Sequence, residues 1–81
     1  MEKETIILIE VNTIEKNWNE KKISGNDVKT LAGVSIVDNQ AYKIKKNDKP
    51  KEMDDIEKIP VQDGDIFITE SRSGGVKQGN F

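Results

Sequence analysis

The stretch of this chain best suited to chemistry is Ser71-Arg72-Ser73-Gly74-Gly75, followed by Val76-Lys77-Gln78-Gly79-Asn80-Phe81. Adjacent glycines lack Cβ atoms, so a backbone can be drawn there through a groove that any larger side chain would block. Gly74 and Gly75 therefore mark a candidate site of chemistry performed by other proteins. The competing reading is a passive, flexible Gly-rich end. Chemistry by the chain itself is poorly provided for. It has no histidine, the commonest general base and metal ligand, and no cysteine, which removes thiolate chemistry, disulfides and sulfur-based metal sites. The acid pairs Asp54/Asp55 and Asp63/Asp65 do not have calcium-loop spacing, and turn chemistry explains them better. The chain is read as a non-enzyme with no metal and no cofactor.

Composition narrows the class further. Eighty-one residues, 33% hydrophobic and 35% charged with a net charge of −2, fit one small soluble domain burying about 60 to 65% of its unfolded surface. Basic residues are scattered among acids rather than gathered for phosphates, which argues against nucleic acid. Met1-Glu2-Lys3-Glu4 lacks a signal-peptide core and no apolar run approaches the length of a membrane span. The expectation is a cytoplasmic monomer.

The elements that must hold out the glycine pair follow from periodicity. Thr5-Ile6-Ile7-Leu8-Ile9-Glu10-Val11 is a β-branched run expected to form a central strand, with Ile7, Ile9 and Val11 on one face and Ile6 and Leu8 on the other. Asn12-Thr13 is a turn, and Ile14 to about Lys22 pairs back as an edge strand whose lysines discourage further pairing. Ser24 and Asp27 have the spacing of a capping box, with Ile23 and Val28 as its hydrophobic staple. Val28, Leu31 and Ala32 give that helix an apolar stripe, and Gly33 suits its left-handed end. Ala41 to Lys46 alternates as a strand, read with Tyr42 and Ile44 inward. Met53, Ile56, Ile59 and Val61 are apolar anchors in an irregular segment. Asp63-Gly64 is a turn, and Asp65 to Glu70 is the last strand, with Ile66 and Ile68 on one side and Phe67 and Thr69 on the other. The order strand, strand, helix, strand, irregular segment, strand predicts an α+β fold. Its mixed sheet has four to five strands, one helix packs across it, and the last strand lies parallel beside the first through a right-handed crossover. This is the β-grasp arrangement, with the domain over 1–70 and a tail over 71–81.

The segments Ile9-Glu10-Val11-Asn12, Ile23 to Gly33, Tyr42-Lys43-Ile44 and Asp63 to Phe67 resemble, in that order, the bacterial multi-ubiquitin-type β-grasp proteins. Ser24 stands where that family commonly has Thr and keeps the capping hydroxyl. The resemblance implies a ubiquitin-like protein modifier. Its partners would be an activating enzyme that uses ATP, a conjugating enzyme, a JAB-type metallopeptidase and a target protein, in operons some of which are linked to antiphage defence. The implied path is trimming after Gly75, adenylation of the carboxylate, thioester transfer and an isopeptide bond to a lysine. Arg72 is a candidate for tail recognition by an acidic enzyme surface. Ile6, Leu8 and Phe67, expected on the sheet face opposite the helix, form a candidate docking patch. A sulfur carrier and a non-covalent β-grasp interaction module are the alternative readings.

Overall fold

The computed structural model describes residues 6–72. The first strand, β1 (Ile7–Val11), pairs antiparallel with β2 (Ile14–Trp18) through a turn in which Asn12 and Thr13 both adopt positive φ, 52° and 72°. The Asn12 side chain ties this turn to the far end of the chain. Its Nδ2 donates to Thr69 Oγ1 and its Oδ1 accepts from the Thr69 amide, both at 2.9 Å. Asn at this position thus supplies the left-handed backbone and closes a long-range contact at once. The predicted second strand stops at Trp18, whose indole donates to the Lys22 carbonyl, and Lys22–Ile23 (β3) turns away to pair with β6 (Ile59–Pro60).

Helix α1 (Gly25–Ala32) begins as its sequence dictates. Ser24 Oγ accepts from the Asp27 amide at 3.1 Å and Asp27 accepts from the Ser24 amide at 2.9 Å, the reciprocal pair of a capping box, worth about 1 kcal/mol. Gly33 closes the helix at φ 74°. Ile23 and Val28 of the staple are both fully buried.

Strands β4 (Asn39–Ile44), β5 (Lys51–Glu52) and β7 (Ile66–Ser71) complete the main sheet, in the order β2-β1-β7-β4-β5. β7 is parallel to β1 and antiparallel to β4, and lies between them. The molecule is an α+β β-grasp fold with one helix across a mixed five-stranded sheet. Its core is Ile9, Val11, Ile23, Val28, Ala41, Met53, Val61 and Phe67, with Ile7, Trp18, Leu31, Ala32 and Ile59 packed against it. Of the irregular segment's anchors, Met53 and Val61 are buried and Ile56 is 79% exposed. No helix among the described residues is long and apolar enough to cross a membrane.

Two parities differ from expectation. Tyr42 and Ile44 do not point inward: they pair with Ile68 and Ile66 on the outer face, while Ala41 and Lys43 lie opposite Thr69 and Phe67 on the helix side. The small Ala41 is fully buried there, where a bulkier side chain would hold the helix off the sheet. Ile68 likewise faces outward rather than into the core.

Candidate functional site

The candidate site is the end of β7, where the chain leaves the sheet. β7 continues to Ser71, and Arg72 is bonded to the body, so the folded unit reaches past the expected boundary at 70. The Arg72 amide donates to the Asp38 carbonyl at 2.7 Å. Its guanidinium spans three further acceptors: Nη1 donates to the Val37 carbonyl at 3.3 Å, and Nη2 to Gln40 Oε1 at 2.9 Å and Asp55 Oδ1 at 2.8 Å. A planar fork with several fixed donors is what makes arginine, rather than lysine, able to hold such a set. Gln40 is itself fixed, its Nε2 donating to the carbonyls of Met53 and Ala41.

Asp55 is delivered to this point by the helix start. The first amides of α1 dock onto the irregular segment, Gly25 donating to the Asp54 carbonyl at 2.8 Å and Asn26 to the Asp55 carbonyl at 3.0 Å. Gly25 has a steric reason to be glycine, since a Cβ there would lie 2.6 Å from the Asp54 carbonyl oxygen. One turn along the helix, Lys29 is fully buried and its Nζ donates to Asp55 Oδ1 at 2.8 Å and to the Ile36 carbonyl at 2.9 Å. One carboxylate oxygen thus bridges a buried ammonium and the guanidinium at the root of the tail. Asp54, beside it, does turn work, its Oδ2 accepting from the amides of Ile56 and Glu57.

The hydrogen bond from the Lys29 ammonium, supported by Arg72, holds the Asp55 carboxyl below the ordinary value of 3.8 despite some desolvation. Asp54 is lowered too, by the amides of Glu57 and Ile56. A carboxylate whose value is depressed in the folded chain stabilises the fold fully above its unfolded value and loses that contribution as pH falls through the folded one. The melting midpoint should therefore hold level above about pH 5 and fall as pH drops below 3.8. A melting series from neutral to acid pH checks this, and Lys29→Met, which removes the main cause of the depression at Asp55, should have a shallower acid limb than the wild type.

Gly74, Gly75 and Val76 lie outside the described residues. Arg72 is placed against the body, not displayed on its own. Ile6, Leu8 and Phe67 are not brought together. Phe67 is fully buried in the core, because β7 registers Phe67 beside Val11, an inward residue of β1; it cannot belong to a docking patch. Ile6, 57% exposed, lines a depression with Trp18 and Leu31, whereas Leu8, 44% exposed, lines another with Ile66. The outer sheet face actually presents Leu8, Tyr42, Ile44, Ile66 and Ile68. Its depressions are lined on the β4 side by Lys45, Lys46 and Lys49 together with Asp65 and Glu70, and on the β1 side by Glu10, Glu15 and Asp63.

Sequence reasoning missed Lys29, Asp55 and Gln40. A signal existed for Lys29, which falls with Gly25, Val28 and Ala32 at i, i+3, i+4 and i+7 on one helical face; nothing local marks Asp55 or Gln40. Among the described residues no group of three acidic side chains could hold a metal ion. Comparison of the chain with protein-family models, with curated proteins and with solved structures finds no match.

Proposed function

We propose that this protein is a ubiquitin-like modifier that acts in the cytoplasm as a monomer. It is processed after Gly75, activated at the exposed carboxylate by an ATP-using partner enzyme and joined through it to target lysines. The observation that carries this reading is the place of β7. The strand that leads to the glycines lies between β1 and β4 within the sheet, so the segment beyond Arg72 is attached to one of the best-braced elements of the fold. From Arg72 to Gly75 is three residues, which can span at most about 10 Å, and Gly74-Gly75 offers no side chain to obstruct an enzyme groove. The chain contributes a presented terminus; catalytic groups and cofactors come from a JAB-type metallopeptidase, an activating enzyme and a conjugating enzyme.

Co-expression with such a peptidase should yield an intact mass lacking Val76 to Phe81. An uncut chain, under conditions that cleave a control substrate, would overturn the reading. Deleting Gly74 and Gly75 should abolish conjugation and leave the melting temperature unchanged.

A non-covalent interaction module is the second reading, and the outer sheet face favours it. An apolar strip with a lysine-rich flank, interrupted by Asp65 and Glu70, on one side and an acidic flank on the other suits a partner segment that is apolar in the middle and acidic where it meets Lys45, Lys46 and Lys49. On this reading the glycine deletion leaves partner binding intact, whereas Ile68→Asp removes it.

A further inference from the structure

We infer that Asp55 is the positioning residue of the C-terminal segment: steadied by Lys29, it clamps Arg72 to the body and fixes the point at which the chain departs. Four observations converge on this. Arg72 is bonded through its backbone and at three side-chain contacts to residues of two separate segments, 37–40 and 55. The carboxylate it meets is not a free surface acid, because the same oxygen is held at 2.8 Å by Lys29. Lys29 has no exposed surface, so it cannot leave Asp55 without stranding a buried charge. Finally, the backbone under Asp55 is pinned by the Gly25 and Asn26 amides of α1. A carboxylate fixed in this way presents a ready-made seat for a guanidinium, with little ordering left to do when Arg72 arrives.

The functional consequence rests on the modifier reading. Three residues, Ser73, Gly74 and Gly75, separate the seated Arg72 from the bond to be cut. An enzyme that needs Arg72 itself in its groove must draw it from Asp55, so an acidic group on that enzyme would compete with Asp55 for the same guanidinium. Engagement of the tail is then an exchange of carboxylates rather than capture of a free arginine.

The clamp can be tested without any cognate enzyme, because Arg72 is also a trypsin site and trypsin must take the guanidinium into its own acidic pocket. Limited trypsin digestion of native protein, read by intact mass, gives the rate of cutting after Arg72, with cutting after Lys77 in the same chain as reference. Three proteins are compared. Lys29→Met removes the buried ammonium but leaves Asp55 with Arg72. Lys29→Met/Asp55→Asn also removes the carboxylate charge and strands no buried cation. The wild type should be cut slowly after Arg72, Lys29→Met, whose Asp55 keeps Arg72 but loses its brace, up to about twofold faster, and the double variant roughly five- to tenfold faster, the size expected for one charge-assisted hydrogen bond at a part-exposed pair. Equal rates in all three, or an acceleration already complete in Lys29→Met, would overturn the proposal. Should the double variant fail to fold, Gln40→Ala, which removes another acceptor of Nη2, gives the same direction at about twofold.

The same three proteins given to the JAB-type peptidase separate the two ideas. Faster cutting after Gly75 in the double variant supports the exchange, and equal cutting refutes it. No cutting in any of the three counts against the modifier reading and leaves the clamp to the trypsin result.

Discussion

Phe67→Asp is expected to unfold the domain. Phe67 has no exposed surface and sits in β7 with Val11 beside it on β1 and Lys43 beside it on β4. Truncating a buried phenylalanine to alanine costs about 3 to 5 kcal/mol in transfer and cavity terms, and aspartate adds a carboxylate in the buried site whose neighbouring cation, Lys43, is already paired with Asp65, which raises the cost further. A chain of this size has roughly 4 to 12 kcal/mol of stability in all, so the substitution removes most or all of it. Far-UV circular dichroism and a thermal melt check this, and a cooperative transition near the wild-type midpoint would show that Phe67 is not the core residue its burial indicates. Ile68→Asp is the control. Ile68 is half-buried on the outer face opposite the helix, where a carboxylate can stay hydrated, and a loss of about 1 kcal/mol or less is expected. A pair of adjacent β7 positions thus separates core from surface by strand parity alone.

That parity also shows how far the sequence could be read. The β-branched run at Ile7–Val11, the capping box at Ser24 and Asp27, the Asp63-Gly64 turn and the order of elements were all legible, because each rests on local geometry or on a period within a single segment. What failed was the choice of face. β7 is apolar on both sides, Ile66 and Ile68 against Phe67, and no pattern within the strand says which side the helix will cover. Pairing with Val11 decides it, and that is a long-range fact. In β4 the alternation misled outright: Tyr42 is larger than Ala41 and Ile44 more apolar than Lys43, yet the close approach of the helix selects the small Ala41 for the interior. The tail was legible as a pair of glycines, but its anchorage was not. Arg72 finds its partner in the irregular segment at Asp55, a residue whose neighbour Asp54 does the turn chemistry expected of both.

The buried Lys29 leads to the second large effect. Asp55→Ala should cost about 3 kcal/mol, far more than loss of a surface ion pair, which is worth about 0 to 1 kcal/mol. The reason is asymmetry: Lys29 has no exposed surface while the Asp55 side chain is 38% exposed, so removing the carboxylate leaves the ammonium without its counter-charge, with only the Ile36 carbonyl still assigned to it. Breaking a buried pair by removing one partner typically costs about 3 to 5 kcal/mol, and the partial exposure of Asp55, which lets water approach, places this case at the lower end. Lys29→Met should cost much less, about 1 kcal/mol, because methionine fills similar volume and the exposed Asp55 keeps Arg72. Adding Lys29→Met to Asp55→Ala should therefore restore about 2 kcal/mol. A double-mutant cycle by urea unfolding measures this coupling. If the two losses simply add, the buried ammonium does not depend on Asp55, and the Gly25 and Asn26 amides alone would have to account for how segment 54–55 is held against the helix.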